Sequence, residues 1–117
     1  MGARCTFIFK DSEKTAVALY SHWGEDSMYD DLAAALRHAA PRIKMGDSSY
    51  STRMAISYLL QDSLLEETGY GIYACNPNNL MFAEHPILID FTNNTVHDDT
   101  GYHSIDEFIN YHAGVKV

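Results

Sequence analysis

Apolar and polar positions alternate from the first residues of the chain. Arg4-Cys-Thr-Phe-Ile-Phe-Lys10 is rich in aromatic and β-branched residues and predicts a strand. A period of two puts Cys5, Phe7 and Phe9 on one face and Thr6, Ile8 and Lys10 on the other. Asp11-Ser-Glu-Lys14 has the polarity and length of a hairpin turn, so Thr15 to His22 is expected to return antiparallel. On that return strand Val17 and Leu19 point one way. Ala16, Ala18, Tyr20 and His22 point the other.

The period then changes to a helical one. Ser27 is the expected N-cap, with Asp30 three residues on in the capping-box position and Asp30 and Asp31 at the positive end of the dipole. Leu32, Ala35, Leu36 and Ala39 form the inner stripe, and Pro41 is expected to stop the helix. A second helix starts from a cap at Asp47 or Ser48. Residues 50–66 carry apolar side chains on more than one face, which predicts the buried central helix of the core. Gly69 suits the left-handed position that closes such a helix.

The rest reads mainly as strands. Tyr70 to Cys75 is one, and Asn76-Pro-Asn-Asn79 is a turn. Leu80 to Glu84 and Ile87 to Phe91 are two more, separated by His85-Pro86 because proline cannot donate to a ladder. Asn93-Asn94 forms a tight turn into Thr95-Val-His97, and Asp98-Asp-Thr-Gly101 is a loop. Ser104-Ile-Asp-Glu107 is a capping box opening a last helix, with Ile105, Phe108 and Ile109 inward. The expected fold is a single α+β domain over residues 1–117, in the order β-β-α-α-β-β-β-α. Its antiparallel sheet would have about five strands, with about three helices mainly on one face.

Composition narrows the function. The 16 acidic and 8 basic residues leave a net charge of −8, which disfavours binding to a DNA backbone and suits a protein partner with a basic surface. Cys5 and Cys75 lie in strand-like stretches with no Cys-x-x-Cys pair, so reduced thiols and a cytoplasmic protein are expected. The opening residues carry no signal pattern, and no apolar run reaches the length of a membrane span. A homodimer through the sheet face or an edge strand at 80–84 is a further expectation.

The densest polar chemistry lies at Tyr20-Ser-His-Trp-Gly-Glu-Asp-Ser-Met-Tyr-Asp30, which holds the only tryptophan. Tyr20, His22, Trp23, Glu25, Asp26, Tyr29 and Asp30 are the expected partner-binding residues, the rings as anchors and the carboxylates as mates for Lys or Arg. An alternative ligand site joins His22 and Trp23 to Tyr50 and Arg53, near the second helix's N-terminus, and would take a nucleotide or another anion. A third reading is a small enzyme centred on His22 with Asp26, or a metal enzyme adding His97 and His103. No serine-hydrolase, activated-thiol or phosphate-loop motif occurs, so catalytic residues, metal and cofactor are all expected to be none.

The opening also resembles a group of small proteins. Gly2-x-Arg4, Phe7-x-Phe9-x-Asp11 and Val17-x-Leu19-Tyr20-Ser21-His22-Trp23-Gly24 look like the start of small uncharacterised proteins of bacterial and phage genomes. In those, a strand hairpin runs into an aliphatic-Tyr-x-His-Trp segment. The resemblance covers the first quarter of the chain and implies a phage or mobile-element setting, without catalytic residues. The expected function is therefore a non-enzymatic, acidic binding protein, an anti-CRISPR-like inhibitor of a host defence system acting through protein–protein contact.

Overall fold

The computed structural model describes residues 4–22 and 27–112. Six strands and three helices follow in the order β1 (Cys5–Lys10), β2 (Ala16–Ser21), α1 (Met28–Lys44), α2 (Ser48–Leu59), β3 (Tyr70–Cys75), β4 (Pro86–Asp90), β5 (Thr95–Asp98), β6 (Gly101–Ser104) and α3 (Ile105–His112). The strands form one sheet in the spatial order β3-β2-β1-β4-β5-β6. The α+β class is as the alternation predicts. The sheet, however, is mixed: β1 and β4 run parallel, with Thr6 opposite Pro86 and Lys10 opposite Asp90, while every other neighbouring pair is antiparallel. Side-chain alternation assigns faces and is silent about strand direction. The direction follows from where the long connection through both helices and β3 brings the chain back.

One sheet face holds the core. Cys5, Phe7, Phe9, Leu19, Ile87, Ile89 and Val96 pack there beneath Met28, Leu32, Leu36 and Ile43 of α1 and Ile105, Phe108 and Ile109 of α3. The central helix is α1, flanked by α2 and α3, because Ala33, Ala35 and Ala39 let its backbone approach closely. α2 is shorter and more peripheral than residues 50–66 predict. Only Ser51 and Ala55 are buried in it, and the chain turns at Leu60, where Gln61 donates its side-chain amide to the Tyr58 carbonyl. Gly69 does take a left-handed backbone, φ 100°, but at the entry to β3 and not at a helix end.

α1 continues through Pro41 to Lys44. The proline removes one helical donor, while Ile43 beyond it is buried against the core and holds the last turn in place. The caps divide. Asp47 accepts from the Tyr50 amide, and Ser104 and Glu107 exchange capping-box bonds as the sequence predicts. Ser27 instead donates its hydroxyl to Asp31, 2.8 Å away, and makes no side-chain cap.

The opposite face carries a second cluster, Ile8, Ala16 and Ala18, against Leu80, Ala83 and Leu88. Residues 80–84 are therefore not a strand. They turn, with the Ala83 amide bonded to the Leu80 carbonyl, and lie across the sheet. The sixth strand is β6, whose first residue the sequence places in a loop and whose last it places at a helix cap, and Asp98 pairs with Gly101 to close a tight hairpin with β5. Buried Asp90 fastens the end of β4. Its carboxylate accepts from the Thr92 and Asn93 amides and side chains and lies 3.5 Å from the Lys10 ammonium.

Candidate ligand cleft

At the β6 end of the molecule, the first turn of α1, the β5–β6 hairpin and α3 enclose a cleft of about 570 Å³. Its lining follows from two periodicities. Asp98 is two residues beyond core Val96 and shares its face, and His103 pairs with Val96 from the neighbouring strand. Glu107 and Tyr111, then Phe108 and His112, are spaced by four along α3 and form two adjacent rows. Tyr29 enters from α1 and stacks on His112, with ring centroids 5.4 Å apart.

The hairpin is held by Asp98, whose side chain is only 4% exposed. One carboxylate oxygen accepts from the Thr100 amide at 2.8 Å, from the Thr100 hydroxyl at 2.7 Å and from His103 Nε2 at 3.2 Å. Burial alone would push the Asp98 carboxyl up, but the Thr100 hydroxyl and amide and the His103 ring outweigh it and hold it below the usual range. Burial, followed by the nearby charges of Asp99 and Asp98, pushes the Tyr29 phenol up. Thr100, His103 and Asp98 do not form a relay. Such a relay needs the hydroxyl on one ring nitrogen and the carboxylate on the other, whereas Nε2 meets both. The cluster builds a rigid turn. With Tyr29, Phe108 and Tyr111 on its walls and Asp98 and Glu107 beside them, the cleft fits a cation flanked by rings.

The residues singled out in the sequence are divided among several places. Trp23, Glu25 and Asp26 lie outside the described residues. Tyr20 and His22 share the face away from the helices, and the Tyr20 hydroxyl lies 3.0 Å from His22 Nδ1. Tyr29 and Asp30 belong to the helical side, Tyr29 lining the cleft. Asp30 lies 3.6 Å from His112 Nδ1. Tyr50 and Arg53 are not brought to His22. Ser48, at the start of α2, donates to Asp11 at the β1–β2 turn, whereas His22 leaves the opposite end of β2. Six strand residues separate these ends, about 20 Å. Arg42 lies over the Tyr50 ring at 4.5 Å, and Arg53 donates to Ser57 along the exposed side of α2.

His97 and His103 lie on opposite sheet faces, since His103 is opposite Val96 and His97 is opposite Tyr102. They cannot chelate a common ion. Among the described residues no three His, Cys, Asp or Glu side chains are grouped to hold a metal. Cys5 is a free buried thiol, pushed by burial to about 11, and Cys75 is free on the other face. No described helix is long and apolar enough to cross a membrane. Sequence reasoning flagged the 97–103 window but missed Glu107, Tyr111 and His112 as lining. Their spacing by three and four behind Ser104 was the available signal.

No known family model, curated protein or solved structure matches the chain.

Proposed function

We propose that this chain is a non-enzymatic acidic binding protein that holds a basic protein partner at the cleft between α1, the β5–β6 hairpin and α3. The observation that carries the reading is the lining: three aromatic rings beside Asp98 and Glu107, with Asp30 at His112. Rings that flank a carboxylate suit an arginine side chain, whose planar guanidinium stacks and hydrogen-bonds at once. The net charge of −8 speeds encounter with such a partner. Together with the resemblance of the opening hairpin, this supports a phage or mobile-element accessory that blocks a host defence protein, in the manner of an anti-CRISPR. Tyr29 lines the cleft and Asp30 lies at its His112, while Trp23, Glu25 and Asp26 stand three to six positions before Tyr29 in the chain.

The test is capture of a partner from host lysate by wild type and by Glu107→Lys and Tyr111→Ala proteins of equal melting temperature. Loss of the captured protein with both variants is expected. Retention with both removes the cleft from the interaction.

A second reading has its own support. The volume of about 570 Å³ falls within the usual range of small-molecule sites. A free cationic metabolite in the cleft would raise the melting temperature of purified protein with no partner present.

A further inference from the structure

The sheet has two outer edges, and they differ in a way that selects a partner for one of them. The ladder fixes which backbone groups of β3 face outward. The His22 amide donates to the Gly69 carbonyl at 2.8 Å, so this pair is hydrogen-bonded and the pairs 20/71, 18/73 and 16/75 follow in phase. The other side of β2 agrees: the Asp11 amide donates to the Thr15 carbonyl, which puts residues 17, 19 and 21 in bonds to β1. Tyr70, Ile72 and Ala74 therefore turn both backbone groups away from β2. Among the described residues no strand pairs with that outer edge.

Natural edge strands are blunted by charge, proline, bulges or shortness. β3 has none of these. Tyr70-Gly-Ile-Tyr-Ala-Cys75 is six residues long, uncharged and free of proline, and it pairs in regular register with β2. Ile72, in mid-strand, is 56% exposed. The other edge is blunted. β6 has four residues, begins at Gly101 with φ 121°, runs straight into α3, and is bracketed by Asp98, Asp99, Asp106 and Glu107.

We propose that the outer edge of β3 pairs antiparallel with β3 of a second copy of this chain, on a two-fold axis through Ile72. In that register Ile72 faces Ile72 of the second copy, and Tyr70 faces its Ala74, each pair exchanging both outward backbone bonds. On the other face each Tyr73 lies opposite the other copy's Gly71. A Cβ at Gly71 would meet nothing within 4 Å, so open space awaits the ring. An aromatic ring over an edge glycine is a recognised cross-strand device, and this strand supplies both halves of it to its own copy. Charge points the same way. Two chains of −8 repel, yet this register brings no acidic residue of β3 against another, and Glu66 and Glu67 lie beyond its start. An uncharged strand in an acidic protein is the place where a second copy is tolerated.

Sedimentation of the full chain across micromolar to sub-millimolar concentration tests the proposal. A dimer is expected, tightening as salt screens the repulsion. Ile72→Lys should weaken it at least tenfold, and Tyr102→Lys on β6 should leave it unchanged. Ile72→Pro removes an N–H that β2 does not use, so it should give a monomer with an intact circular dichroism spectrum. If that variant does not fold, amide exchange of the wild type replaces it: the 72 and 74 amides should gain protection as concentration rises. A monomer at every concentration, a dimer that survives Ile72→Lys, or one that salt dissolves would overturn the proposal.

Discussion

The two halves of the sheet, joined by the parallel β1–β4 pair, are built on different chemistry. β3, β2 and β1 form a half whose exposed edge carries no charge. β4, β5 and β6 carry buried carboxylates at Asp90 and Asp98, two histidines and the wall of the cleft. The difference teaches where each kind of specificity resides. The first half offers backbone and apolar surface, which recognises shape and strand register. The second uses its buried carboxylates to fix the hairpins and offers the exposed Glu107 carboxylate beside the rings of the cleft, which recognises charge.

Breaking the second half should show most strongly at Asp90. Its side chain and that of Lys10 are 4% and 12% exposed, and removal of the acid takes the buried one of two carboxylates from the ammonium and the shared acceptor from four donor groups of Thr92 and Asn93. Asp90→Ala should cost about 3 kcal/mol in urea unfolding, against little change for Glu13→Ala at the exposed end of the same lysine.

Asp98→Ala comes next, at about 1–3 kcal/mol, because Thr100 and His103 lose their shared acceptor. This site also sets a pH dependence. Both Asp90 and Asp98 have folded values held below the ordinary 3.8, so the folded state favours their ionised forms. Their contribution is complete above the unfolded value and is lost as pH falls through the lower folded one. Unfolding free energy should therefore be flat near neutrality in respect of these groups and decline below about pH 4, with a smaller decline in Asp98→Asn.

At the cleft, Glu107→Gln separates charge from capping. The amide retains an acceptor for the Ser104 N–H, so stability should change by less than about 1 kcal/mol while capture of a basic partner weakens. The smallest effect on the fold sharpens the contrast. Ile72→Thr on the exposed edge should shift stability by no more than about 0.5 kcal/mol at monomer concentrations, measured by thermal unfolding.

Much of the fold was legible locally. The faces of β1 and β2, the inner stripe of α1, the Asp47 cap, the Ser104–Glu107 box and the turn at Asn93-Asn94 all appear as the residue pattern predicts. Each depends on neighbours within one turn or one strand. The errors share another cause. Leu80 and Ala83 are apolar because they cover Ile8 and Ala18, a contact far apart in sequence that mimics a strand's composition. Met54, Ile56 and Tyr58 suggested a buried helix, yet each is half-buried at the rim of the core.

The candidate site divides in the same manner. Tyr29 and Asp30 were readable as functional types, and the 97–103 window as a polar cluster. Their meeting with Phe108, Tyr111 and His112 was not readable, because it depends on α3 packing beside α1.

By itself the sequence determined most helix and strand types, the side-chain faces of β1 and β2, the caps at Asp47 and Ser104 and the negative charge, since these follow from periodicity and short-range hydrogen bonding. Only the tertiary structure decided that β1 and β4 run parallel, that α1 and not α2 is central, and that His97 and His103 are separated by the sheet. Strand direction and partner choice are fixed by how the apolar faces are jointly buried, and no local window of residues contains that information.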